Sequence, residues 1–210
     1  QYLKDQIKFR KTHKDINKPN EILSLLIEAE GLELSETELL HQCIFMLNAG
    51  HETSTNMLSH GLNELINHRD QYKSLQKEPG RIDTAIDEIL RFQPPIQINN
   101  RRCLEQTKLG DVVVPEGTSV HMIIAGANRD PLQFFKPETF DISRSPNRHL
   151  SFGLGIHICA GINLARVEAK VAFQSLMSSF REINLLKKPK VANRIRFREI
   201  KEMQIEISPF

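Results

Sequence analysis

Nothing between positions 38 and 68 stops a helix. The run "ELLHQCIFMLNAGHETSTNMLSHGLNELINH" contains no proline. It opens just after "SETE", where Ser35 and Glu38 have the spacing of a capping box, two helix-start groups that satisfy each other. At 1.5 Å per residue such a helix is about 45–50 Å long, enough to run through the middle of a large domain. The rest of the chain has to be arranged around that rod.

Ahead of it the sequence reads as one helix, a break around Lys18-Pro19-Asn20, and a short amphipathic helix, "EILSLLIEAEG". After it, "RIDTAIDEILRF" is helical and ends at Pro94-Pro95, because the residue before a proline avoids helical geometry. "DVVVPEGTSVHMII" places two β-rich runs around a Pro-Glu-Gly turn, the pattern of a hairpin. Residues 128–151, rich in Pro, Asn, Asp and Arg and without a period, read as a long ordered loop. Ile162, Ala165, Ala169, Phe173, Leu176 and Phe180 recur every three or four residues and predict a last helix. "RIRFREIKEMQIEIS" partly alternates, as a strand does. The expected fold is mainly α with small β-hairpins, and there are no repeats and no internal linker.

A net charge of +2 gives no reason to expect nucleic acid or an anionic membrane as partner. No apolar run approaches the roughly 20 residues of a membrane span. The opening "QYLKDQIKFRKTHKD" is charged throughout, unlike a signal peptide. Cys43, Cys103 and Cys159 are odd in number and unpatterned, which points to a reducing, cytoplasmic setting in which a special cysteine works as a thiolate.

"FGLGIHICAG", residues 152–161, singles out Cys159. A helix beginning near Gly161 would stabilise a thiolate at its N-terminus. Gly153 and Gly155 permit a tight turn before the cysteine, and Gly161 leaves room for something broad and flat. Iron held by sulfur in a planar macrocycle meets these demands. A buried structural cysteine and a zinc site with His149 and His157 are the alternatives, although the spacing lacks the paired zinc-ligand form. In "AGHETST" on the long helix, Gly50 and the hydroxyls of Thr53, Ser54 and Thr55 weaken the local turn beside Glu52. An acid next to an alcohol suits proton delivery to a bound ligand, and "CIFMLNA" just before it predicts burial. Glu88 and Arg91 share a helix face and can pair.

Taken together and in this order, "AGHETS", "EILR", "FDISR" and "FGLGIHICAG" closely resemble the C-terminal half of a cytochrome P-450, the haem-thiolate monooxygenases, of the soluble bacterial type. The resemblance implies the C-terminal portion of that fold, with residues 1–210 as a single incomplete domain. It implies haem b with Cys159 as axial iron ligand, Phe152 packed beside it, Gly155 and Gly161 shaping the loop, and Arg101, His149 and His157 at propionate-binding places. It assigns Glu52 and Thr53 to the acid–alcohol pair that relays protons, and Glu88, Arg91 and Arg144 to a structural cluster. Phe45, Asn48, Ala49, Gln97 and Asn99, with residues 200–203, would face a small apolar organic substrate. Electrons would come from NAD(P)H through a ferredoxin-type or flavodoxin-type donor. The family's catalytic domains are longer, so the layer covering the long helix is expected to lie outside these residues, leaving apolar surface that promotes self-association. Glu199 stands where the family's terminal hairpin carries glycine.

Overall fold

The computed structural model describes residues 1–16 and 20–210; Lys18 and Pro19, the centre of the expected break, lie outside them. The described residues divide into two compact units, Gln1–Glu52 and Thr53–Phe210.

The first unit holds α1 (Tyr2–Thr12), α2 (Ile22–Ala29) and the first part of α3 (Glu36–Asn67). Ile7, Leu39 and Cys43 form its core, with Leu3, Leu23 and Leu26 packed against them. Arg10 clasps Glu21 through two hydrogen bonds of 2.6 and 2.8 Å, tying α1 to the start of α2. The capping box forms as its spacing demands: Ser35 N donates to Glu38 Oε2 at 2.8 Å, and Glu38 N donates to Ser35 Oγ at 3.3 Å. The Ser35 hydroxyl and amide lower the Glu38 pKa by bonding its ionised form. Burial of "CIFMLNA" stops at Cys43, and residues 44–47 are exposed. Within "AGHETST", the segment expected to be buried, Glu52, Thr53 and Ser54 are half-buried and the other four residues are exposed.

In the second unit, the remainder of α3 packs with α5 (Ile82–Phe92) and α7 (Ile162–Ser179) around one apolar core. α5 buries Ile82, Ala85, Ile86, Ile89 and Leu90, the i, i+3, i+4, i+7 spacing of a core-facing helix. It ends at Gln93, whose amide still donates to Ile89 O, directly before the two prolines. Gly61 sets the closest approach: a Cβ there would sit 2.5 Å from Phe173 Cζ and 3.0 Å from Ile89. α4 (Arg69–Lys77) was not foreseen; it presents only Tyr72 and Leu75 to the core, too few positions for a periodic signal.

The strands form four two-stranded antiparallel sheets among the described residues: β1 (Ile98–Arg102) with β4 (Ser119–Ile123), β2 (Thr107–Leu109) with β3 (Val112–Val114), β5 (Phe180–Leu185) with β8 (Ile205–Pro209), and β6 (Lys190–Val191) with β7 (Ile200–Glu202). The expected hairpin is therefore corrected. Both β-rich runs are strands, but Val112 pairs with Leu109 and Ser119 with Arg102. The Pro-Glu-Gly segment joins two sheets instead of closing one. After the single-turn α6 (Ile124–Ala127), residues 128–151 form the irregular loop the composition implied, with no helix or strand. Phe180 leaves the α7 pattern to begin β5. Lys136 is the one described non-glycine residue with positive φ, so Glu199 occupies ordinary backbone and its turn does not require glycine.

Candidate functional site

Cys159 is exposed at the end of a tightly folded loop. Its amide donates to Phe152 O at 2.8 Å, and Gly153 N donates to Leu150 O at 2.9 Å, so the loop closes on itself. Gly153 and Gly155 both take positive φ, +74° and +70°, and a Cβ on Gly153 would press on His157 O at 3.2 Å. The chain then enters α7, whose N-cap is Gly161 with no side-chain cap, leaving first-turn amides and the positive helix end beside the sulfur. Around Gly155 a Cβ would meet nothing within 4 Å, and at Gly161 only Cys159 Sγ at 3.9 Å. Packing within this chain therefore does not account for either small residue. Leu154, Ile156 and Ile158 turn outward, Ile156 being 96% exposed. An accessible sulfur, apolar neighbours and unfilled space suit a flat apolar group such as haem, and the buried structural cysteine is set aside. Among the described residues no group of three or more His, Cys, Asp and Glu is placed to hold a metal ion.

The loop is fastened from below by a buried charge cluster. Glu88 and Arg91 are both 0% exposed and pair through two bonds of 2.8 Å, the fork-to-fork geometry that guanidinium and carboxylate share. Glu88 also accepts Arg144 Nε at 3.1 Å, Asn147 Nδ2 at 3.0 Å and the Asp141 amide at 2.9 Å. Arg91 spends its other donors on main-chain oxygens of Asn128, Pro137 and Thr139, at 2.9, 2.8 and 3.1 Å. Asn128 carries the connection onward: its Oδ1 accepts Leu150 N at 2.8 Å and its Nδ2 donates to Ser151 Oγ at 2.9 Å. Ser151 Oγ in turn donates to Leu90 O at 2.7 Å. Asn128, Asn147 and Ser151 thus anchor the segment leading into Phe152. Sequence reasoning missed all three, because polar loop residues carry no period.

Phe152 lies half-buried, packed on the core, with the Arg166 guanidinium 5.5 Å from its ring. His149, expected among the propionate-binding residues, is held by neighbours in the chain. Its side chain is 4% exposed, Nε2 lies 3.4 Å from Asp87 Oδ1, and Nδ1 accepts the Ser151 amide at 3.2 Å. Both ring nitrogens are engaged within the chain. Burial alone would raise the Asp87 pKa, but the His149 hydrogen bond and the Arg166 charge outweigh it and hold the carboxyl below its usual range. Arg101 on β1 and His157 on the turn before Cys159 are exposed, and neither is in an ion pair among the described residues.

Gln97 is half-buried and bonds Pro94 O through its own side chain, while its amide donates to Arg196 O at 2.8 Å. Asn99 pairs with Met122 in the β1–β4 register. Residues 200–202 form β7, and Met203 packs on the core. Thr53 begins the second unit on α3, where the neighbouring Ser54 Oγ donates to Glu168 Oε2 on α7 at 2.7 Å. Glu52, Phe45, Asn48 and Ala49 lie on α3 in the first unit, and the last three are exposed.

A family model described as Cytochrome P450 matches residues 1–197. The biotin biosynthesis cytochrome P450 of Bacillus subtilis is 38% identical over 185 residues, which cover 88% of this chain and 46% of that protein. The polyketide biosynthesis cytochrome P450 PksS of the same organism is 38% identical over 177 residues, covering 83% and 44%. Among solved structures, P450BioI in complex with a hexadec-9Z-enoic acid-ligated acyl carrier protein superposes with a TM-score of 0.92 at 36% identity, over 99% of this chain and 53% of that one. The chain spans about half the length of the curated relatives it matches.

Proposed function

From the premise that this chain belongs to the cytochrome P450 family, we propose that it forms the haem-ligating half of a haem-thiolate monooxygenase, which inserts one atom of dioxygen into a small apolar organic substrate. The observation that carries this reading is the exposed Cys159, set on a glycine-turned loop at the start of α7 and flanked by outward-facing Leu154, Ile156 and Ile158. When bound, haem b supplies an iron centre whose thiolate ligation favours reductive cleavage of dioxygen.

The residues of this chain do the rest. Cys159 presents its sulfur, with the α7 N-terminus favouring the thiolate. With the ring bound, Phe152 and the apolar loop residues would exclude water beside that sulfur. Arg101, His149 and His157 offset carboxylates carried by the ring. Glu88, Arg91 and Arg144 hold the loop in place. Glu52 and Thr53 move protons. Gln97 and Asn99 in the second unit face substrate, and so do Phe45, Asn48 and Ala49 in the first. NAD(P)H supplies the electrons through a ferredoxin-type or flavodoxin-type donor. No described helix is long and apolar enough to cross a membrane.

A second reading, a remnant that does not hold haem stably, is favoured by the exposed apolar residues 44–47. Haem titration separates the two. A ferrous carbon monoxide complex with a thiolate-type Soret band, lost in Cys159→Ser, supports the oxygenase reading. A band that survives in Cys159→Ser removes that residue as ligand, and no haem uptake at all leaves the remnant.

A further inference from the structure

A second polar feature lies away from the Cys159 loop, along the buried side of α3. Asn56, His60 and Glu64 follow one another at single helical turns and are 1%, 3% and 6% exposed. Glu64 is engaged by Gln93 Nε2 at 2.7 Å, and His68 Nδ1 lies 3.6 Å from it. His60 reaches instead to a distant segment, its Nε2 lying 2.9 Å from Arg198 O. A carbonyl only accepts, so Nε2 carries the proton and Nδ1 is bare. That Nδ1 is buried with no hydrogen-bond partner among the described residues.

The segment His60 grips is a strap. Gln97 N donates to Arg196 O at 2.8 Å, Arg198 N donates to Pro95 O at 3.3 Å, and Ile96 bridges Phe197. Residues 196–198 are thus zipped along 95–97 and pinned to α3 at one carbonyl, immediately ahead of β7. We propose that neutral His60 is the pin that holds the 196–198 strap against residues 95–97, and that its protonation releases the strap.

A second proton would create a buried Nδ1–H with no acceptor, next to a cation. The charged groups facing the imidazole are Arg198 from the strap and, one turn along α3, Glu64, which is already engaged by Gln93; His68 lies a further turn away. Burial is the main cause, opposed by the bond to Arg198 O and joined by the Arg198 charge, that lowers the His60 pKa from 6.5 to about 4. That this opening moves a substrate wall, through Gln97, rests on the oxygenase reading; the pin itself does not.

Amide hydrogen exchange on the 210-residue chain tests it without haem or substrate. Corrected for intrinsic rates, protection at Gln97 and Arg198 is expected to fall on the order of 30-fold between pH 7 and pH 5 relative to β5 amides, from the displaced His60 titration. His60→Gln keeps a donor that does not titrate and should flatten that dependence. His60→Leu should lower protection at both pH values while β5 exchange shows that the unit remains folded. Strap protection that is independent of pH in the parent, or that falls equally in His60→Gln, overturns the proposal. If His60→Leu does not fold, the parent and His60→Gln profiles still decide.

Discussion

Arg91 is the residue whose replacement separates two accounts of the buried cluster. A buried ion pair can often be exchanged for apolar residues at no net cost, because two desolvation penalties disappear with the attraction. If charge pairing were the whole role, Glu88→Leu with Arg91→Met would be close to neutral. The geometry argues otherwise. Arg91 also donates to Asn128 O, Pro137 O and Thr139 O, and of these only Thr139 O has a second donor among the described residues, Arg144 Nη2 at 3.1 Å. The double variant therefore strands two carbonyls, at about 1–3 kcal/mol each when buried and unpaired. It also strands the donors of Asn147 and Asp141 that Glu88 accepted. A loss of roughly 4 kcal/mol follows from the carbonyls alone. At about 2–3 kcal/mol per molar urea that lowers the unfolding midpoint by more than about 1 M. Urea titration followed by far-ultraviolet circular dichroism measures it. A double variant with the parent's midpoint would refute the view that Arg91 acts chiefly as a clamp on main-chain oxygens.

Gly61→Ala should cost about 1–3 kcal/mol by overpacking, since the new methyl meets the Phe173 ring at 2.5 Å; the same titration reads it, and Phe173→Leu in the same chain should recover part of the loss. Acid sensitivity should follow His60: the folded state binds its proton less readily than the unfolded chain, so the stability is fully present above pH 6.5 and is lost as pH falls towards 4. The contribution is about 3 kcal/mol in all, of which about 2 kcal/mol is lost between pH 7 and pH 5; urea midpoints at those two values will show that loss, which should vanish in His60→Gln. Thr53→Ala in a haem-loaded, electron-supplied protein should divert electrons from product to peroxide, measured as peroxide released per NAD(P)H consumed; unchanged coupling removes Thr53 from proton delivery. Glu38→Gln should loosen the first turn of α3, most visibly as faster exchange at the Ser35 amide above pH 5, where the carboxylate is ionised.

What the sequence revealed tracks what is local. The capping box at Ser35 and Glu38, the stop of α5 before Pro94, and the need for positive φ at Gly153 and Gly155 depend on residues a few positions apart, and each could be read from spacing. Glu88 and Arg91 were legible as an i,i+3 pair, yet nothing local said that the pair is fully buried or that it collects Asn128, Pro137 and Thr139. Strand pairing failed for the same reason: the runs at Val112–Val114 and Ser119–Ile123 are both β-rich, and only the tertiary arrangement gives them different partners. His149 was legible by its position near the cysteine loop, while its contact with Asp87, on α5, was not. His60 carried no signal at all, since a polar residue on a long helix reads as a solvated face until the strap over it is known.

Around Pro137 and Thr139 the hold on the irregular loop is a grip on its thread and not on its beads. A guanidinium that takes main-chain oxygens from Pro137 and Thr139 is indifferent to the letters written there, so the stretch around them can drift in composition and keep its path. Substitutions at Arg91 and Glu88, and at Asn128, Arg144, Asn147 and Ser151, whose side chains also hold the loop, should be punished, while those at Pro137 and Thr139, held by their carbonyls, are forgiven. A segment without regular structure then becomes a fixed ruler, setting how far the thiol stands from the helix beneath it.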